Sequence, residues 1–221
     1  MLIFPAIDLK DGAVVRLYKG DFATVHQVAD DPLATAGAFL AAGARHIHMV
    51  DLDGAKDGQR KNGDIVRAVA ATGLRVELGG GIRSMSDLEA VFDLGGWRAV
   101  IGSAAGSDPD FVREAIARYG PEKVAVGIDA KDSHVRTAGW VRDEGLDYLQ
   151  FAKSMESIGV KYIIFTDIDT DGTLSGPALG RLEALQKAVG CAITATGGVS
   201  SNGDLRRLRD MGLYAAIVGK G

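Results

Sequence analysis

Gly80–Gly102 (GGIRSMSDLEAVFDLGGWRAVIG) and Gly197–Gly219 (GGVSSNGDLRRLRDMGLYAAIVG) align without a gap at a constant offset of 117. Nine of the 23 pairs are identical, among them Gly80/Gly197, Gly81/Gly198, Ser84/Ser201, Asp87/Asp204 and Gly102/Gly219. Each copy runs from a glycine-rich turn into an amphipathic stretch led by serine, then a glycine, a short apolar run and a closing glycine. A short polar residue ahead of such a stretch starts a helix, and glycine beyond its end stops it. An apolar run without alternation is a strand covered on both faces. The unit is turn, helix, strand, and it occurs twice. Further out, Ile7-Asp8-Leu9-Lys10-Asp11 pairs with Ile128-Asp129-Ala130-Lys131-Asp132 at an offset of 121, and Asp51-Leu52-Asp53 with Asp167-Ile168-Asp169 at 116. The signals recur in one order, which predicts half-repeats over about 1–105 and 122–221.

The rest of the chain extends this unit. Strands are expected near 2–8, 45–51, 74–79, 98–102, 123–129, 160–167, 191–196 and 214–218. Helices are expected near 32–43, 62–72, 84–95, 107–119, 146–158, 178–189 and 201–212, stopped by Gly43, Gly73, Gly95, Gly120, Gly159, Gly190 and Gly212. Eight strands alternating with helices predict a single α/β domain over 1–221, a (β/α)8 TIM barrel. A doubly wound open sheet is the alternative, and the repeat favours the barrel because two similar four-strand halves close on each other. Two inserts, 12–31 and 132–145, follow the first and fifth strands at matching places. The sequence ends at Gly221, directly after the eighth strand, so the barrel is expected to lack its final helix.

A chain of 221 residues, 47% hydrophobic and 24% charged, carries enough apolar material for one large core. A net charge of −4 gives no electrostatic footprint for nucleic acid, so an anionic ligand must be held by local groups. One cysteine, Cys191, excludes a disulfide framework and fits a reducing compartment; it reads as a core residue at the start of the seventh strand. The opening MLIFPAIDLKDG is broken by Pro5 and Asp8 and is not a signal peptide. No apolar run approaches the ~20 residues of a membrane span. A cytoplasmic location, no nucleic acid or membrane partner and a monomeric chain are expected.

Four glycine clusters end strands: Gly79-Gly80-Gly81 with Ile82-Arg83, Gly102-Ser103, Gly197-Gly198, and Gly219-Lys220. Glycine lets backbone approach a ligand closely, and N–H groups at helix starts attract anions. Barrels of this kind commonly hold phosphate after strands seven and eight. The repeat places a second such arrangement at strands three and four, which suggests a ligand with a phosphate at each end. Tight βα turns alone would also use glycine. Asp8 and Asp129 end the first and fifth strands, which face each other in an eight-strand barrel. Carboxylates there can divide acid and base work, or cap a turn or pair with Lys10 or Lys131. After the sixth strand, Thr166 could orient a carboxylate and Asp171 could be a second acid. The acidic run there lacks the twelve-position pattern of a calcium loop. His46 and His48 form H-x-H, but no further His or Cys completes a metal set, so packing or hydrogen bonding is expected. Trp140, in the second insert, stacks on a planar ligand or is a plain loop residue. There is no dinucleotide fingerprint and no Walker motif. Acid–base groups between two phosphate cradles, with no cofactor and no metal expected, point to isomerase or lyase chemistry on a bisphosphate.

Phe4-Pro5-Ala6-Ile7-Asp8-Leu9-Lys10-Asp11-Gly12, Val50-Asp51-Leu52-Asp53-Gly54-Ala55, Gly79-Gly80-Gly81-Ile82-Arg83 and Thr166–Thr173 (TDIDTDGT) resemble the phosphoribosylformimino-aminoimidazole carboxamide ribotide isomerase family of histidine biosynthesis. The resemblance runs from residue 2 to 220. It implies an Amadori rearrangement of an aminoaldose to an aminoketose, with Asp8 as proton acceptor and Asp129 as proton donor. Thr166 and Asp171 assist, and Asp171 competes for the acid role. By the same resemblance Gly80, Gly81, Arg83, Gly102, Ser103, Gly197, Gly198, Gly219 and Lys220 hold the two phosphates. Arg16, Lys19 and Gly20 then lie on a loop that closes over substrate, where closure would exclude water. Family members continue for about one more helix beyond position 221. Relatives that also serve tryptophan synthesis carry an Arg where this chain has Ala138, which argues for a single substrate. The related cyclase of the same pathway, a non-catalytic bisphosphate-binding barrel and phosphoribosylanthranilate isomerase are the remaining alternatives; the first-strand Phe4-Pro5-Ala6 speaks against the cyclase.

Overall fold

The structure is a computed structural model and describes residues 1–18, 21–58, 60–137 and 142–219. In chain order it runs β1 (Leu2–Lys10), β2 (Ala13–Tyr18), β3 (Asp21–Ala29), α1 (Pro32–Ala41), β4 (His46–Asp51), α2 (Leu52–Asp57), α3 (Gly63–Ala71), β5 (Arg75–Gly79), α4 (Met85–Asp93), β6 (Arg98–Ile101), α5 (Ser103–Ser107) and α6 (Pro109–Tyr119). It continues with β7 (Val124–Lys131), β8 (His134–Thr137), β9 (Arg142–Asp147), α7 (Tyr148–Ser157), β10 (Tyr162–Asp167), α8 (Leu179–Ala188), β11 (Ala192–Thr196), α9 (Asn202–Asp210) and β12 (Ala215–Val218). Eight of these strands pair in parallel in the order β1-β4-β5-β6-β7-β10-β11-β12, and β12 returns to β1 to close a barrel. The expected (β/α)8 fold is present, with each expected strand and helix within two residues of its place.

Local chemistry sets the boundaries. Asp31 caps α1 ahead of Pro32, and Asp108 caps α6 ahead of Pro109, where a missing N–H does no harm. Ser84 and Ser201 cap α4 and α9 by accepting from the backbone N–H of Asp87 and Asp204. Asp87 and Asp204 reach back to the N–H of Arg83 and Ser200, so each pair forms a reciprocal cap. Gly190 departs from expectation. It is not left-handed, because α8 ends through extended Val189, and its N–H donates to Glu156 Oε1 at 2.6 Å.

The two inserts are antiparallel hairpins, β2–β3 built on β1 and β8–β9 built on β7. They stand above opposite sides of the barrel. Two short helices, α2 and α5, follow β4 and β6 and had no counterpart in the sequence reading. The main core lies between the strands and the helical ring, where Ile7, Leu9, Ile47, Met49, Leu78 and Ile101 are fully buried. A smaller cluster fills the barrel interior around Phe4, Ala6, Val100, Ile164 and Ile217. Cys191 lies at the edge of the main core, half-buried, with its Sγ 3.2 Å from Val160 O.

Candidate active site

Where the barrel strands end, a cavity of about 570 Å³ opens at their C-terminal rim. Asp8 looks into it from β1 and Asp129 from β7, opposite sides of the closed order. Thr166 on β10 is the register partner of Asp129 and is buried. Asp171, in the turn after β10, reaches the same cavity. The four candidate catalytic residues are therefore brought together.

Their electrostatics differ. Asp8 is partly exposed to the cavity, and burial pushes its carboxyl above its ordinary value, against the pull of Arg16 and His48. Arg16 Nη1 lies 3.4 Å from Asp8 Oδ2, while its Nη2 donates to Ala6 O at 2.7 Å and to Gly219 O at 2.9 Å. Lys10, the partner considered from the sequence, pairs with Asp11 instead. Among the described residues, Asp171 forms no ion pair. Burial first, and then the charges of Asp8 and Asp129, push it up to about 6, with Arg16 opposing.

Gly80, Gly81, Gly102, Ser103 and Arg83 line one end of the cavity, and Gly197, Gly198 and Gly219 the other. The first pair of glycines and its repeat have left-handed backbones, φ 96° and 71° at Gly80 and Gly81 against 91° and 77° at Gly197 and Gly198. Each loop passes directly against another: a Cβ on Gly80 would sit 2.2 Å from Asp51 O, and one on Gly198 2.3 Å from Gly176 O. The sequence reading placed the helix starts against the anion. In the structure Ser84 and Ser201 each take up one first-turn N–H of α4 and α9, and the start of α5, Ser103 and Ala104, lines the cavity at the first end. Arg83 donates from Nη2 to Ala55 O at 2.7 Å. Lys19, Gly20, Trp140 and Lys220 lie outside the described residues.

Several residues missed in the sequence hold this rim in place. Asn62 donates from Nδ2 to buried Asp51 and Asp53, 2.9 Å each, and accepts from Gly12 N at 3.0 Å. Asp53 also accepts from Asp11 N at 2.8 Å, so the base of the β2–β3 hairpin is tied to β4 and α2. In the other half, Arg181 pairs with Asp167 at 2.6 Å and Asp169 at 3.3 Å. Of the two histidines, His46 packs against Phe4 and Trp97, with ring centroids at 4.9 and 5.0 Å. His48 lines the cavity and meets Glu77 at 3.0 Å. Among the described residues, no group of three or more His, Cys, Asp or Glu could hold a metal ion. No helix among them is long and apolar enough to cross a membrane.

Fold and site together define a (β/α)8 barrel with its polar groups gathered at the C-terminal rim between two glycine-lined ends. The particular family follows from comparison with known proteins: residues 2–221 match the histidine biosynthesis protein family, and the chain belongs to it. A relative from Listeria welshimeri is 51% identical over 222 residues, covering all of this chain and 92% of its own length. A relative from Clostridium acetobutylicum is 48% identical over 221 residues, with 92% of its own length covered. One from Clostridium botulinum is 46% identical over 221 residues, with 91% covered. All three carry the name 1-(5-phosphoribosyl)-5-((5-phosphoribosylamino)methylideneamino)imidazole-4-carboxamide isomerase.

Proposed function

We propose that this chain is an aldose–ketose isomerase of histidine biosynthesis, converting the phosphoribosylamino end of that ribotide to the aminoketose. Relatives near half identity that share this name support the substrate. The single structural observation that carries the chemistry is the set of three carboxyls, Asp8, Asp129 and Asp171, around one cavity with glycine loops at both ends. The glycine loops hold the two phosphates: Gly80, Gly81, Arg83, Gly102 and Ser103 at one end, and Gly197, Gly198 and Gly219 at the other. Arg16 reaches across the second end.

A protonated carboxyl gives its proton to the ribose ring oxygen as the C1–O bond breaks and the nitrogen lone pair forms C1=N. A carboxylate then takes the proton from C2, leaving an enolamine. That proton returns to C1 as the 2-hydroxyl loses its own to the spent acid and becomes the ketone. No electrons leave the substrate and both carboxyls are restored. Asp8, beside Arg16, suits the base. Asp171, pushed up to about 6, keeps its proton to higher pH than an ordinary carboxyl, which favours it over Asp129 as the acid. Asp129 then serves as the neighbouring charge that keeps that proton in place. The reading extends to a single domain of two half-repeats, acting as a cytoplasmic monomer on a small-molecule substrate without cofactor.

The test is a steady-state assay with the ribotide on the wild type and Asp8→Asn. The variant is expected to lose at least about a thousandfold in kcat, a general-base effect at full strength, and to bind the product within a few-fold. Turnover equal to wild type removes Asp8 from the mechanism, and no turnover by the wild type removes the proposed reaction.

A further inference from the structure

One layer below Asp8, the barrel interior carries a line of ionisable side chains that the proposed chemistry leaves unused. His48, Glu77 and Arg98 are register partners on β4, β5 and β6. His48 Nδ1 lies 3.0 Å from Glu77 Oε1, and Arg98 Nη1 lies 3.4 Å from Glu77 Oε2. Glu77 and Arg98 are each 1% exposed. Arg98 is held from below by the Tyr162 and Trp97 rings, 3.6 and 4.2 Å from their centroids, and by Glu122 O. The line therefore starts at an anchored cation, passes through a carboxylate using both oxygens, and ends on an imidazole in the cavity wall.

Packing does not account for these charges. The repeat supplies the comparison, because the matching layer on β10, β11 and β12 is Ile164, Thr194 and Ala215, which are also register partners. That half fills the same space without a charge. A buried ion pair is seldom more stable than the apolar residues that could replace it. His48 is the member that reaches the cavity, and its Nδ1 is committed to Glu77. Its register partner Ala6 on β1 and Val50, two residues on along β4, are apolar and line the same cavity.

Resting on the reading of Asp8 as the base, we infer that His48 is a positioning residue for Asp8, its ring held by Glu77 and, behind it, Arg98. Ala6, two residues before Asp8 on β1, is the register partner of His48, so imidazole and carboxylate are diagonal neighbours on one face of β1 and β4. The charge of His48 acts on Asp8 in the same sense as that of Arg16. The charged groups around Asp8 are Arg16 from β2, His48 from β4, Asp129 from β7 and Asp171 from the turn after β10. Those around His48 are Asp8 from β1 and Glu77 from β5, with Arg98 of β6 behind Glu77. Arg16 rides on an inserted hairpin, while His48 is fixed in the barrel wall.

The test is the pH dependence of kcat/KM for wild type, His48→Gln, Glu77→Gln and the double variant. His48→Gln is expected to move the acid limb up by about one pH unit, with KM on the plateau changed less than threefold. Glu77→Gln should move it the same way in the wild type and not at all in the His48→Gln background. An unmoved limb, a uniform fall in kcat/KM or equal Glu77→Gln effects in both backgrounds would overturn the inference. The 13C titration of the Asp8 carboxyl in the wild-type protein carries the test if a variant fails to fold or the enzyme has no isomerase activity. Two inflections, one following His48, are expected, and a single inflection overturns it.

Discussion

Gly80 and Gly219 both line the cavity, yet the structure gives them opposite responses to the same substitution. Gly80→Ala puts a side chain on a backbone at φ 96°, which costs about 1–2 kcal/mol. Its Cβ would also lie 2.2 Å from Asp51 O and 2.9 Å from Asp51 N, backbone atoms that cannot turn aside. Moving that backbone disturbs Asp51, which holds Gly54 N and Asn62, and overpacking of this kind adds about 1–3 kcal/mol. At about 2–4 °C per kcal/mol for a chain of this size, the combined loss lowers the melting temperature by roughly 10 °C. For Gly219→Ala the nearest atoms are those of the Arg16 guanidinium, at 3.5–3.6 Å, an ordinary contact with a flexible side chain. Its melting temperature should stay within about 2 °C of wild type, as for an exposed change. The added methyl instead occupies the second glycine-lined end beside Arg16, so KM for the ribotide should rise about tenfold, a loss of about 1.4 kcal/mol. Thermal unfolding and steady-state kinetics on the two variants decide the matter. A Gly80→Ala protein that melts like wild type, or a Gly219→Ala protein with unchanged KM, refutes the assignment of one glycine to backbone approach and the other to ligand contact.

Asp171 makes a prediction about pH. Its folded value of about 6 lies above the ordinary 3.8, so the folded state holds the proton longer than the unfolded chain. Stability therefore falls as pH rises through the window from about 4 to 6, by roughly 2–3 kcal/mol from this group. Asp171→Asn should flatten that decline and abolish most turnover, as denaturant unfolding at pH 4.5 and 7.5 would reveal; an unchanged pH slope refutes the burial argument. Asn62→Ala leaves buried Asp51 and Asp53 without its amide, and should cost about 3 kcal/mol in denaturant unfolding. It also releases Gly12 N, so proteolysis within the β2–β3 hairpin should quicken, and a hairpin as resistant as in wild type would show that Asn62 does not anchor it.

The barrel was legible because its signals are periodic and repeated. Consecutive apolar residues in VAVGID and YIIFTD, serine ahead of each amphipathic run and glycine after it placed strands and helices within two residues. Asp8 and Asp129 were legible for a related reason, since a carboxylate ending an apolar strand is conspicuous. What failed to register was short or depended on tertiary partners. A helix of six residues, Leu52–Asp57, carries too little periodicity to separate from a turn, and the hairpin strands have mixed polarity. His48 could not be told from a packed histidine until Glu77 appeared beside it. Glu77 itself was visible as the single acid in RVELG, a polar residue where barrel interiors favour branched apolar ones. That anomaly was available from the sequence, but its partner Arg98 is 21 residues away and only the register of β5 with β6 joins them.

Repetition also explains why the site can be symmetric in its grip and asymmetric in its chemistry. The glycine loops at the two ends share their sequence and their backbone angles, which suits a ligand with the same anionic group at each end. The residues between them do not match. At the repeat offsets, Thr166 and Asp171 of the second half correspond to Val50 and Ala55, while Arg16 and His48 of the first correspond to Thr137 and Ile164. The first half thus sets Arg16 and His48 beside its carboxylate, and the second adds a further carboxyl that has no ion pair among the described residues. Burial raises both carboxyls; the charges of Asp8 and Asp129 add to that at Asp171, whereas Arg16 and His48 oppose it at Asp8. In the proposed mechanism, acid–base division arises from what differs between the halves, and the hold on the ligand from what they share. An exchange that makes them alike should therefore spare binding and end turnover: Asp171→Ala combined with Ala55→Asp moves the third carboxyl to the other side. The expected result is product affinity within a few-fold of wild type and kcat lower by at least about a hundredfold, the scale of a lost proton-transfer group. Undiminished kcat would mean that the position of that carboxyl does not matter and that the division of roles lies elsewhere.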